Sequence, residues 1–181
     1  MLKKILIFTV LLSLFSCGFQ VIYRDEESHI SYETDLAAIR IKKNRDEISQ
    51  KLKNNLYDLL NPNQLNIEAK YFLSLEIKLN SSPTFITVTG ASGRNNITLK
   101  VFYKLQNLNS AQTISSGSTT VNDNYNVTEN RYATSVNENF VSKNLTKLAA
   151  QSLRNSLVND FIEIKKECAE KKDDKYFTCP L

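Results

Sequence analysis

The spacing of hydrophobic residues changes along this chain, and each change marks an element. Ile5 to Phe15 is an apolar run broken only by Thr9 and Ser13, and Gln20 to Asp35 is a polar stretch. Leu36 to Ile41 then alternates, with Leu36, Ala38 and Arg40 on one face and Ala37, Ile39 and Ile41 on the other, which predicts a short strand. Asn44 stands three residues before Glu47 in a capping-box pattern, and Ile48, Leu52, Leu56 and Leu59 recur at helical spacing up to Asn61-Pro62-Asn63. From Ile67 the period drops to two. Tyr71, Leu73, Leu75, Ile77 and Leu79 alternate with Phe72, Ser74, Glu76, Lys78 and Asn80, and the chain stays extended over Phe85 to Thr89 after the break at Pro83. A turn at Gly90-Ala91-Ser92-Gly93 leads to a second alternating run, Ile97, Leu99, Val101, Tyr103 and Leu105 against Thr98, Lys100, Phe102, Lys104 and Gln106. Thr113 to Asn122, rich in Ser and Thr, reads as an edge strand.

Helical spacing returns after Tyr125-Asn126, in Val136, Phe140, Val141, Leu145, Leu148, Ala149, Leu153, Leu157 and Phe161. No Pro or Gly interrupts Thr128 to Lys166, so one long helix is expected. The order is β-α-β-β-β-α. A mostly antiparallel sheet with two amphipathic helices on one face makes an α+β two-layer sandwich, its other face carrying Glu76, Lys78, Lys100 and Lys104.

The apolar run near the start is eleven residues long, too short for the roughly 20 that cross a bilayer, and it follows Lys3 and Lys4. That is the pattern of a secretory leader. Leu14-Phe15-Ser16-Cys17 resembles the bacterial lipobox, in which the cysteine thiol takes a diacylglycerol and the freed amine an acyl chain. Each buried methylene contributes about 0.8 kcal/mol, so several chains anchor a protein without a spanning helix. Gly18 after the cysteine resembles lipoproteins sent on to the outer membrane rather than retained on the inner one. The chain accordingly divides into a cleaved leader over 1–16, Cys17 with a linker to 35, one domain over 36–166 and a charged tail over 167–181.

Composition narrows the chemistry. Of 181 residues, 41% are hydrophobic and 23% charged, enough for one domain with a real core. Removing the leader leaves 21 Lys and Arg against 19 Asp and Glu, a net of +2, too mild for a nucleic-acid binder. One His and four Gly supply neither a His-rich metal site nor a glycine-rich phosphate cradle. His29 lies in the polar stretch beside Glu26 and Glu27, where nothing would lock it as a general base. Gly90 to Arg94 joins two strands and matches neither the Walker pattern nor a nucleophile elbow. No catalytic constellation emerges. Cys168 and Cys179 form an even pair for an oxidising compartment, and a bridge between them removes roughly 3 kcal/mol of entropy from the unfolded chain; the alternative is two unpaired thiols.

Cys17-Gly18-Phe19, Tyr23, the β-α-β-β-β-α order, and Tyr125-Asn126 leading through Tyr132-Ala133 into a long terminal helix together resemble the lipopolysaccharide-assembly lipoprotein family LptE, in its α-proteobacterial form. The resemblance runs to about Phe161. It implies a non-enzymatic lipoprotein on the periplasmic side of the outer membrane, seated as a plug in an LptD-type β-barrel and touching lipopolysaccharide in transit. Candidate contacts are Arg94, where a guanidinium can grip a phosphate, and Lys100 and Lys104 on the exposed sheet face. Relatives place a basic residue just before the hairpin glycine, where this chain has Val88 and Thr89. No cofactor is expected beyond the lipid on Cys17, and no metal or nucleic acid. The alternatives are a periplasmic lipid-binding auxiliary lipoprotein of an envelope transporter and, ranked last, an envelope hydrolase.

Overall fold

The structure, a computed structural model, describes residues 26–43, 45–86, 88, 92–171, 179 and 181. Contacts divide the chain into Met1–Ile30 and Ser31–Leu181. The described part of the first unit is the opening of a helix, residues 26–30; Cys17 and the rest of the expected leader lie outside the described residues. The second unit is an α+β sandwich.

The elements run α1 (Glu26–Ala37), β1 (Ile39–Ile41), α2 (Glu47–Leu60), β2 (Tyr71–Ile86), β3 (Ser92–Asn107), β4 (Thr113–Asn126) and α3 (Arg131–Glu170). The order is therefore α-β-α-β-β-β-α. The expected linker over 17–35 is corrected in its second half, which is helical, and the expected strand at Leu36 begins only at Ile39. The reason is burial: Tyr32 and Leu36, four apart on α1, are 4% and 2% exposed and join the core. Over 32–37, the part of the helix whose side chains are described, only those two are buried, too sparse a pattern to read as amphipathic, yet Asp35 holds the helix by an ion pair to Lys165 (2.5 Å).

Strand order follows the chain, β1-β2-β3-β4. β1 pairs parallel with Tyr71–Leu73 only, as a βαβ crossover through α2 requires, and the other pairs are antiparallel. α2 is capped by Asp46 rather than Asn44, with the Asp46 carboxylate accepting from the Ser49 N–H at 2.9 Å; Asn44 lies outside the described residues. Those bonds hold the Asp46 carboxyl below the usual range. β2 is one sixteen-residue strand with irregular pairing around Pro83–Ile86, not two segments. β4 runs four residues further than expected, to Asn126.

The core lies between the sheet and the helices. Leu73, Leu99, Val101 and Leu105 from the sheet meet Leu52 and Leu56 of α2 and Leu145, Leu153, Leu157 and Phe161 of α3, all fully buried. Each contributes about 1.5–3 kcal/mol by leaving water. The Phe161 ring meets Tyr71 edge-on, centroids 5.2 Å apart. A polar seam joins α3 to β3 and β4: the Tyr103 and Ser115 hydroxyls both donate to Asp160 Oδ2, at 2.9 and 2.5 Å, and Thr119 meets Ser152 at 2.6 Å. α3 continues to Glu170, so Cys168 sits in its last turn instead of in a loose tail, bonded to Cys179 with Cα atoms 5.5 Å apart. Leu181 packs against the core.

Candidate functional site

Among the described residues no element covers the polar face of the sheet. Alternation along β3 puts Arg94, Lys100 and Lys104 on that face, and all three are exposed. They do not converge. Six residues separate Arg94 from Lys100, about 20 Å of strand, and four more, about 13 Å, lead to Lys104. Each has its own surroundings. The Lys100 ammonium lies 4.9 Å from the Phe102 ring centroid and that of Lys78 5.2 Å, so two cations share one aromatic ring. Lys78 also pairs with Glu76 at 3.3 Å. Lys104 borders a shallow hollow of about 280 Å³ with Lys42, Ser74, Glu76 and Phe102. Arg94 is paired across the strands with Phe85 and Asn126, and its carbonyl accepts from the Thr84 hydroxyl at 3.1 Å.

Beyond Arg94 the molecule turns apolar. Because β1 covers only three residues of β2, the far half of β2 has no neighbouring strand on that side among the described residues, and Leu79, Phe85, Ile86 and, beyond the strand, Val88 are exposed. At the same end, the Val127 N–H donates to the Gly93 carbonyl at 3.1 Å, tying the hairpin to the chain that enters α3. Asn130 caps that helix by accepting from the N–H groups of Tyr132 and Ala133. The first turns then present Tyr132, Val136 and Phe140, spaced by four and 78%, 48% and 63% exposed. Val136, Phe140 and Leu148 fit the helical pattern expected to face the core, but the buried stripe starts only at Val141. Sequence reasoning missed this end of the molecule. Its one signal was an i, i+4, i+8 series of large residues running ahead of the main stripe.

The other sequence candidates hold less. His29 falls in α1, its side chain outside the described residues, as are Gly90 and Ala91 of the hairpin turn. A polar hollow of about 620 Å³ is lined by Thr34, Asp35, Lys70, Tyr71, Lys165 and Leu181, among others. Burial, and after it the charge and hydrogen bond of Asp35, push the Tyr71 phenol up to about 12. Among the described residues no cluster of His, Cys, Asp or Glu could hold a metal, and no helix is long and apolar enough to cross a membrane.

Three solved structures share this arrangement. A lipoprotein of Caulobacter crescentus superposes with a TM-score of 0.61 at 17% identity, covering 72% of this chain and 95% of its own. Rare lipoprotein B of Shewanella oneidensis gives 0.55 at 14% identity, covering 70% and 96%. A minor lipoprotein of Acinetobacter baumannii gives 0.50 at 13% identity, covering 67% and 89%. What is shared is the fold. It is an LptE-like sandwich at low sequence identity. No family model matches the chain, and no curated protein sequence does.

Proposed function

We propose that this chain is an outer-membrane lipoprotein, held by a diacylglycerol and an acyl chain on Cys17, that plugs an LptD-type lipopolysaccharide-exporting β-barrel, assists its assembly and takes part in passing lipopolysaccharide to the outer leaflet. The observation that carries the reading is the exposed end of the molecule. Phe85, Ile86, Val88, Tyr132, Val136 and Phe140 offer apolar surface there, Arg94 stands at its border, and an open sheet face with Lys78, Lys100 and Lys104 continues from it. Such a surface suits an anionic amphiphile whose acyl chains and phosphates are met by different parts of one protein. The Ser, Thr and Asn side chains along β4 suit a polar barrel lumen. The leader motif supplies the tether, and the solved neighbours of this fold are themselves described as lipoproteins.

The auxiliary lipid-carrier reading fits less well. The 620 Å³ hollow is lined by Asp35, Glu68, Lys70 and Lys165, a poor surround for an acyl chain. Affinity purification of the full chain from detergent-solubilised outer membranes separates the readings. Recovery of one barrel protein in equal amount supports the plug. Recovery alone with bound phospholipid supports the carrier, and a soluble chain with an unmodified N-terminus contradicts both.

A further inference from the structure

On the open face of the sheet one aromatic side chain, Phe102, lies half-buried among polar ones. Register fixes its neighbours. Across the strands Phe102 is paired with Glu76 of β2 and Ser118 of β4; the next row on one side is Lys78, Lys100 and Thr120, and on the other Ser74, Lys104 and Ser116. Same-face rows are about 7 Å apart and paired residues about 5 Å, so the ring is the centre of a patch of about 13 Å by 10 Å. Two features of this patch point to a ligand. Lys78 and Lys100 stand directly opposite each other, a destabilising placement of like charges, and both are drawn to the one ring, with Glu76 beside Lys78 alone. Lys42, Lys100 and Lys104 make no ion pair among the described residues, and the hydroxyls of Ser116, Ser118 and Thr120 make no hydrogen bond there. The second feature is shape. On the Lys104 side of Phe102 lies the hollow of about 280 Å³, bordered also by Lys42, Ser74 and Glu76, close in size to the smallest small-molecule pockets.

We infer that this patch is a site for a phosphorylated saccharide, with Phe102 the platform on which a sugar ring lies and the lysines the grip on its phosphates. The inference rests on the proposed function and deepens it, by naming the part of lipopolysaccharide that the sheet face takes: its phosphorylated sugar headgroup. The chemistry selects that class. An aromatic face is negative and the C–H bonds on one face of a pyranose are weakly positive, so the two stack. The Glu76 carboxylate accepts from sugar hydroxyls, and the Ser74 and Ser118 hydroxyls donate or accept as needed. Lys42, Lys78, Lys100 and Lys104 meet phosphate oxygens in charge-assisted bonds, and an anion between Lys78 and Lys100 relieves their repulsion. A phospholipid headgroup meets less of the patch. Ethanolamine adds a cation beside four lysines, and glycerol phosphate has no ring to lie on Phe102.

The test is calorimetric titration of the full-length chain in a polyoxyethylene detergent, which carries no sugar. Three soluble probes are compared: an N-acetylglucosamine disaccharide bisphosphate, the same disaccharide without phosphates, and glycerol 3-phosphate. The unmodified chain is expected to bind the bisphosphate about tenfold or more tighter than either of the others. Phe102→Leu keeps apolar bulk but removes the ring, and should lose about tenfold for the bisphosphate and nothing for glycerol 3-phosphate. Phe102→Tyr should bind as the parent does, and Lys78→Gln with Lys100→Gln should weaken both phosphorylated probes. Equal affinity for the bisphosphate and glycerol 3-phosphate overturns the inference, as does no measurable binding of the bisphosphate or full affinity in Phe102→Leu. Should Phe102→Leu fail to fold by circular dichroism, saturation-transfer NMR on the parent takes its place: irradiating aromatic protons should saturate the sugar C–H protons, and absence of that transfer overturns the site. The assay holds no barrel. Binding here with no barrel recovered from membranes removes the plug and leaves the site, while a recovered barrel without binding does the reverse.

Discussion

Gly117 sits against Tyr103, and substituting it tests the polar seam that fastens α3 to the sheet. A Cβ built on Gly117 would lie 2.8 Å from the Tyr103 hydroxyl oxygen, 2.9 Å from Cε1 and 3.0 Å from Cζ. Carbon does not approach that closely, so something must give. The ring is not free to swing, because Tyr103 is 7% exposed and its hydroxyl is bonded to Asp160 at 2.9 Å. Burial and then that hydrogen bond push the Tyr103 phenol up, so it stays a neutral donor throughout the physiological range. Gly117→Ala must therefore shift Tyr103 and stretch its bond to Asp160. Overpacking alone costs about 1–3 kcal/mol. Weakening a hydrogen bond to a charged acceptor costs up to about 1.5–3 kcal/mol, reduced here because Ser115 still donates to the same oxygen. A loss of about 2–4 kcal/mol is expected in urea unfolding followed by circular dichroism. The same substitution in a Tyr103→Ala background should cost under about 0.5 kcal/mol, since the atoms it meets are gone. A cost below about 0.5 kcal/mol in the parent, or one undiminished beside Tyr103→Ala, refutes the argument.

Leu36→Ala should destabilise the domain by about 2–5 kcal/mol in the same assay, because Leu36 is 2% exposed and fills the core from α1; a loss under about 1 kcal/mol would mean that α1 is peripheral after all. Tyr71 predicts an alkaline limit. Its folded value, about 12, lies above the ordinary 10 or so, so its contribution is complete below pH 10 and disappears as pH rises through about 12. Stability of the parent should therefore fall more steeply over that window than that of Tyr71→Phe, and parallel profiles would contradict the assignment.

The strands were legible because half-burial leaves a plain mark: Tyr71, Leu73 and Leu75 on β2 and Ile97 through Leu105 on β3 are buried on one parity, as their alternation requires. The long helix was legible from Val141 onward for the same reason at a period near four. α1 was not. It holds to the core through Tyr32, Leu36 and the Asp35–Lys165 pair, and long-range contacts of that kind leave no local period. The start of α3 misled in the opposite sense, because Val136 and Phe140 have the spacing of core residues but none of the described residues buries them. Parity put Lys100 and Lys104 on the polar face but did not place Arg94 there, and it says nothing of distance along a strand; Phe102 beneath Lys78 and Lys100 was passed over as one apolar residue in a polar series.

Photo-crosslinking in living cells from positions 94, 100 and 104, and from Phe140 at the apolar end, tests the central claim most directly. The expected products are one barrel protein captured from every position and lipopolysaccharide captured from Arg94 and Phe140. Capture of soluble periplasmic proteins in place of both would contradict the claim.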